Sequence, residues 1–68
     1  MHIFVNGERR ETAGPLTVAA LLQELQLNPQ LVVVEHNRRM LQRPAWATTV
    51  IAADDQLEIV RIVGGGCG

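Results

Sequence analysis

The sequence predicts a small α+β domain in which one helix covers one face of a mixed sheet of four to five strands. Several short runs alternate apolar and polar residues, only one stretch has helical spacing, and the strands are joined mostly by local turns. The chain has 68 residues, 47% of them hydrophobic, which suffices for one small core. We therefore expect a single domain over residues 1–63 and a flexible glycine-rich tail over residues 64–68.

The chain is predicted to begin with a β-hairpin. Residues 1–5 alternate, and Asn6-Gly7 follows, a strong signal for a two-residue turn because both turn positions need a positive φ. The returning strand is expected over residues 9–13 and is broken by Gly14-Pro15.

The single helix is predicted to start after Thr17, whose hydroxyl can cap the first free amides. Asn28-Pro29 is expected to end it, because proline disfavours helical geometry in the preceding residue. The apolar side chains of the helix repeat at the spacing of one face: Val18, Leu21, Leu22 and Leu25.

The second half of the chain is predicted to supply the rest of the sheet. Residues 31–34 form a β-branched run typical of a buried central strand, and residues 57–63 form the last strand. Between them we expect a brief strand at Met40-Leu41, one helical turn over 44–47, with Trp46 as a structural plug, a connection over 48–52 with Val50 or Ile51 buried, and a turn at Asp54-Asp55.

Composition excludes several classes of function. Six basic residues against seven acidic ones give a net charge of −1, whereas a nucleic-acid-binding domain usually has a basic excess. A lone cysteine allows no internal disulfide, and with two distant histidines it is poor material for a metal site, so no metal and no cofactor are predicted. No secretory signal and no membrane-spanning run is apparent, and we expect a cytoplasmic binding or carrier module.

The glycine tail is the feature that points to function. Four glycines stand among the last five residues, directly after a well-patterned strand. Glycine loses more conformational freedom on ordering than any other residue, and such a run has no side chains to pack. A side-chain-free filament after a rigid strand is suited to a narrow active-site channel of another protein, where its carboxylate would react.

Over residues 1–66 the chain resembles the ThiS-type sulfur carriers of thiamin (thiazole) biosynthesis, which have the ubiquitin-like β-grasp fold. No one stretch is specific, but their order, their spacing and the glycine end are specific together. The matching stretches are Ile3-Phe4-Val5-Asn6-Gly7, Thr17 to Leu22, Val34-Glu35-His36-Asn37, Arg43-Pro44-Ala45-Trp46, and Asp55 to Val60.

The resemblance implies a mechanism and a set of partners. A ThiF-type enzyme adenylates the terminal glycine, sulfur from a cysteine-derived persulfide displaces AMP, and the resulting thiocarboxylate donates sulfur to thiazole synthase. A cysteine desulfurase supplies the sulfur. The carrier itself would be a co-substrate with no catalytic side chain.

The sequence departs from the family at its end. Alignment of the last strand places Gly65-Gly66 at the reactive pair, preceded by Gly64, and leaves Cys67 and Gly68 as an extension. Some related carriers bear an extension that a metallopeptidase removes. We therefore expect adenylation at Gly66 after trimming, with Gly68 as the alternative reactive residue.

A partner-binding patch is predicted from Phe4, Val60 and Ile62. Alternation places them opposite the helix-facing residues, and a sheet that is apolar on both faces but covered by only one helix leaves an exposed patch. Because this patch leads to the tail, we expect it to dock the activating enzyme.

Other functions are compatible with the same residues. The carrier could serve another pathway, such as molybdopterin, a siderophore or an amino acid, and require trimming of its end. It could also be a ubiquitin-like protein modifier, conjugated to lysines of its targets, or a non-covalent interaction domain with a frayed tail.

Overall fold

The computed structural model describes residues 1–62, and these form one five-stranded mixed sheet with a helix packed against one face. The five strands of the sheet are β1 (His2–Val5), β2 (Glu8–Glu11), β4 (Val32–His36), β5 (Arg39–Leu41) and β7 (Gln56–Arg61). Their spatial order is β2-β1-β7-β4-β5. The last strand within residues 1–62, β7, therefore lies at the centre of the sheet.

The central strand β7 has a different kind of neighbour on each side. It runs parallel to β1, with Phe4 opposite Gln56, and antiparallel to β4, with Val34 opposite Ile59. The first and last strands are thus adjacent, as expected for a β-grasp domain. The predicted α+β class and the mixed sheet with one helix are confirmed.

Alternation along the strands separates a core face from an outer face. Ile3, Val34 and Leu57 are fully or almost fully buried against the helix. The helix α1 (Val18–Glu24) contributes Val18, Leu21 and Leu22 to the same core. The outer face of the sheet carries no second layer among the described residues, so its side chains meet solvent.

The helix begins as predicted but ends earlier. The Thr17 hydroxyl accepts a hydrogen bond from the Ala20 amide at 3.1 Å, which is an N-cap. The helix ends at Glu24 rather than at Asn28-Pro29, because Gln26 adopts a φ of +59°. The Leu27 amide then donates to the Leu22 carbonyl at 3.0 Å, the six-to-one bond of a Schellman motif. The expected end at Pro29 was wrong, because a local backbone reversal stops the helix first.

A second, two-stranded sheet was not predicted. It pairs β3 (Leu16–Thr17) antiparallel with β6 (Val50–Ile51) beside the start of the helix. Each strand has only two residues, which is too short for an alternation pattern to show. Of the two candidates for burial in this connection, Ile51 is fully buried and Val50 is 58% exposed.

The remaining elements differ from prediction mainly in their bounds. The predicted helical turn near Pro44 is a 3-10 helix over Arg43–Ala45, and another spans Pro29–Leu31. Trp46 is buried, and its indole N–H donates to the Leu41 carbonyl at 3.0 Å, which confirms the expected plug. The boundary predicted at residue 63 and the tail over 64–68 lie outside the described residues.

Candidate functional site

The candidate site is the region from which the chain leaves the sheet, at the end of β7. The residues predicted to react or to form the tail (Gly64, Gly65, Gly66, Cys67 and Gly68) lie outside the described residues. The structure does describe the base of that segment, up to Ile62, and the outer face beside it. How this base is held determines where any following segment starts.

The side chain of Asn6 holds β7 on the β1 side. Its amide oxygen accepts from the Ile59 N–H at 2.7 Å, and its amide nitrogen donates to the Ile59 carbonyl at 3.2 Å. The backbone of β1 has already turned away here, since Asn6 and Gly7 have φ values of +52° and +83°. The Asn6 amide therefore substitutes for one further peptide of β1 and extends the parallel ladder to Ile59.

Asn37 binds β7 on the β4 side, at the start of the strand. Its side-chain oxygen accepts from the Gln56 N–H at 2.9 Å, and its backbone N–H donates to the Gln56 carbonyl at 2.8 Å. Asn37 and Arg38 form the turn between β4 and β5, with φ values of +52° and +71°. Two hairpin asparagines thus bind the central strand, one from each flanking hairpin.

Asp55, just before β7, joins three separate segments. One carboxylate oxygen accepts from the Ala52 N–H at 2.8 Å and contacts His36 Nε2 at 2.7 Å, and the other accepts from the Asn37 amide at 3.2 Å. Burial raises the pKa of the Asp55 carboxyl, but these donors outweigh it and hold the pKa below the ordinary value of 3.8. The charged form of Asp55 is therefore favoured by folding.

The histidines have structural partners at this end of the sheet. His36 pairs with Asp55, and His2 Nε2 lies 2.8 Å from an Asp54 carboxylate oxygen. Within residues 1–62, no three histidine, cysteine or acidic side chains lie close enough together to hold a metal ion. No helix in this range is long and apolar enough to cross a membrane.

The outer face brings together two of the three residues predicted to bind a partner. Val60 and Ile62 are 55% and 49% exposed and lie at the end of β7. Phe4 shares the same face but is opposite Gln56, four residues before Val60, which is about 13 Å along the strand. Glu58 lies between them on that face, so the structure does not form one continuous patch from all three.

Other apolar residues join Val60 and Ile62 instead. Val33 is the direct cross-strand partner of Val60, and the Ile62 N–H donates to the Leu31 carbonyl at 2.7 Å. Met40 lies one row away on β5. We call this group the outer-face patch, and its members are Leu31, Val33, Met40, Val60 and Ile62.

Comparison with known proteins assigns the family. The model of the ThiS family matches residues 3–66. The chain belongs to the ThiS family. The predicted resemblance is confirmed.

Solved and curated relatives agree with this assignment. A crystal structure of a thiamine biosynthesis protein (ThiS) from Geobacter metallireducens superposes with a TM-score of 0.85 and 33% identity, covering 97% of this chain and all of that one. A protein named ycf40 from Trieres chinensis is 35% identical over 63 residues, which cover 93% of this chain and 86% of the relative. The β-grasp fold of this ThiS-family chain is thereby confirmed.

Two other relatives are much longer than this chain. A thiazole synthase from Paramagnetospirillum magneticum is 38% identical over 66 residues, and one from Magnetococcus marinus is 36% identical over the same length. These residues cover 97% of this chain but only 20% of either relative. The chain therefore spans about one fifth of the thiazole synthases that it matches.

The two asparagine side chains were missed in the sequence. Asn6-Gly7 was recognised as a turn, but a turn signal does not reveal where the amide of its first residue binds. Both asparagines directly follow a strand and occupy the first turn position. That placement, in two separate hairpins, is the only signal that could have indicated a shared role.

We expect Asn6→Gly to loosen the end of β7. Glycine tolerates the positive φ at this turn, so the hairpin geometry is kept, while both hydrogen bonds to Ile59 are lost. Leaving these backbone groups without their partner should cost about 1–3 kcal/mol of unfolding free energy. Urea unfolding measures the loss, and hydrogen exchange should show faster exchange at the Ile59 amide.

The matched variant is Asn6→Asp, which keeps the acceptor for the Ile59 N–H but has no donor for its carbonyl. It should fall between wild type and Asn6→Gly in exchange rate at neutral pH. Equal protection of Ile59 in wild type and Asn6→Gly would show that the side chain does not hold β7.

We expect Asp55→Asn to destabilise the domain at pH 7 by about 1–3 kcal/mol, because the three polar contacts of the carboxylate are weakened or lost. Since folding lowers the pKa of Asp55, its contribution is complete above the ordinary value of 3.8 and declines as pH falls through the lower folded value. The gap between wild type and variant should therefore narrow below about pH 4.

Asp54→Asn provides the control, because it removes the same charge from a side chain that is 72% exposed. Its effect should stay within about 0.5 kcal/mol at neutral pH. Unfolding curves for the three proteins at several pH values make the comparison. A gap for Asp55→Asn that stays constant down to pH 2 would contradict the assigned role of its carboxylate.

Proposed function

We propose that this chain is a sulfur carrier for thiazole formation in thiamin biosynthesis. The observation that carries the proposal is that two proteins named thiazole synthase contain a segment 36–38% identical to nearly the whole chain. A carrier and the enzyme that uses it gain from sharing a polypeptide, because a tether raises their effective concentration. The family match supports the carrier role, and a cytoplasmic location suits it.

In this proposal the reactive group is a terminal glycine carboxylate. Attack of that carboxylate on ATP, catalysed by a ThiF-type enzyme, releases pyrophosphate and gives an acyl adenylate. The terminal sulfur of a persulfide, charged by a cysteine desulfurase, then attacks the acyl carbon and expels AMP. A thiol reduces the acyl disulfide to the thiocarboxylate, whose sulfur passes to thiazole synthase.

The sheet contributes position rather than catalysis. Ile59 is fixed by the Asn6 amide on one edge, and Arg61 is paired with Val32 on the other. The described part of the chain therefore reaches Ile62 along a strand that is held on both edges. We propose that residues 1–63 act as the recognition domain and residues 64–68 as a flexible segment that enters the partner's active site.

We further propose that Gly66 is the residue to be activated and that Cys67 and Gly68 are removed first by a peptidase. If the channel of the adenylating enzyme receives a carboxylate on the residue after Gly65, two more residues displace it by up to about 7 Å. In-line attack tolerates much less misplacement. The Cys67 side chain would also have to pass a channel shaped for glycine.

We expect a chain truncated after Gly66 to support ATP–pyrophosphate exchange with the adenylating enzyme of the same genome, and the full chain to be inert until trimmed. When a persulfide sulfur source is added, the intact mass of the truncated chain should show that sulfur has replaced one carboxylate oxygen. A truncation after Gly65 provides the control and should be inert. Equal activity of the full and truncated chains would assign the reaction to Gly68.

The patch on the outer face is proposed to dock the activating enzyme. Binding energy concentrates in a few apolar anchors, and Val60 and Ile62 are the ones next to the tail. We expect Ile62→Asp to weaken binding of the adenylating enzyme by about tenfold or more, because it puts a charge into an apolar contact. Phe4→Asp should weaken it less, since Phe4 lies apart from the patch.

Isothermal titration of the two variants and wild type makes this test, with circular dichroism to check that each variant is folded. Unchanged affinity for Ile62→Asp would show that the outer-face patch does not dock the adenylating enzyme. A larger effect at Phe4 would move the docking surface toward β1 and β2.

A further inference from the structure

Two acidic side chains lie opposite each other on the exposed sheet face. Glu35 and Glu58 are direct cross-strand partners of β4 and β7, and both are exposed. Like charges placed directly opposite on a sheet destabilise it. Nothing in the core requires this arrangement, because both side chains point away from the helix.

No basic side chain within residues 1–62 forms an ion pair with either glutamate. The register places Arg10, Arg39 and Arg61 on the side of the sheet that faces the helix. Arg9 is on the outer face, but it is opposite Phe4 at the edge strand β2, two strands away from β7. Among the described residues, therefore, no ion pair relieves the repulsion between the two carboxylates.

The acidic pair lies beside the outer-face patch. Met40 is the cross-strand partner of Glu35, so Met40, Glu35 and Glu58 form one row across three strands. The next row holds Val33 and Val60, and Ile62 follows at the end of the strand. A surface that combines apolar area with two uncompensated negative charges is complementary to a surface that is apolar and positively charged.

We propose that an arginine of the adenylating enzyme binds between Glu35 and Glu58, while apolar side chains of that enzyme cover the outer-face patch. The glutamates belong to a hydrogen-bonded cross-strand pair, in which the α-carbons are about 5.5 Å apart. A planar guanidinium has five N–H donors in a fixed fork and can bind both carboxylates at once. This inference rests on the proposed function and adds that the outer face selects a positively charged partner surface.

The proposal gives the two glutamates opposite effects on folding and on binding. Within the free carrier they repel each other, so neutralising them should stabilise the domain. Within the complex they hold the arginine, so neutralising them should weaken binding. A purely structural role, or no role, would not produce this pair of opposite changes.

The experiment compares wild type with Glu35→Gln, Glu58→Gln and the double variant, all of which keep the side-chain shape. Titration with the adenylating enzyme of the same genome should give a dissociation constant about tenfold or more higher for the double variant. The midpoint of thermal unfolding of the free double variant should rise. Glu24→Gln, which removes the same charge from the helix on the other side of the domain, should change the affinity less than twofold.

Several outcomes would overturn the inference. Equal affinity of wild type and double variant would overturn the inference but leave the proposed function standing. An equal loss of affinity in Glu24→Gln would do the same, because it would show that net charge, and not the glutamate pair, determines binding. Failure of wild type to bind or to be adenylated would overturn the proposed function and the inference with it. Self-association of the free chain that Val60→Asp abolishes would assign the face to a second copy.

Discussion

The structure depends on how β7 is held along both of its edges. It is central in the sheet, parallel to β1 on one side and antiparallel to β4 on the other. Neither neighbour is long enough to cover it completely, because β1 ends at Val5 and β4 ends at His36, opposite Leu57. The side-chain amide of Asn6 supplies both a donor and an acceptor to Ile59, as a peptide group would. The side chain of Asn37 supplies an acceptor to the Gln56 N–H.

This arrangement explains why asparagine stands first in both hairpin turns. The position needs a positive φ, which asparagine tolerates better than most residues. Glycine tolerates it equally well but has no amide to bind the neighbouring strand. Aspartate could accept from the Ile59 N–H but would place a second oxygen against its carbonyl. The requirements of backbone and side chain are satisfied together only by asparagine.

Most of the fold could be predicted from the sequence, because its elements are encoded locally. The first hairpin, the cap at Thr17 and the burial of Trp46 follow from short-range signals. The two-residue strands β3 and β6 could not be predicted. They form only because two connecting segments that are far apart in the sequence meet in the fold. The early end of the helix depends on a positive φ at Gln26. Glutamine is not a residue type that predicts a positive φ, so the sequence does not indicate this end.

The site was less predictable than the fold, because it depends on register. Alternation shows that Phe4, Val60 and Ile62 share a face, but it does not show how far apart they lie. Only the pairing of Phe4 with Gln56 separates Phe4 from the outer-face patch, and only the pairing of Glu35 with Glu58 makes two exposed acids into neighbours. Both facts involve residues that are far apart in the chain.

The adjacency of β1 and β7 also constrains how the chain folds. Phe4 and Gln56 must meet across 52 positions of sequence, so the closure that completes the sheet is among the most entropically costly steps. The helix and the two hairpins can form early and locally, but none of them shields its apolar face until β7 arrives. The outer-face patch depends on the same closure, because Val60 of β7 lies beside Val33 of β4 only when the two strands are paired. A partly folded chain therefore lacks this patch, and a partner that binds the patch selects chains whose sheet is complete.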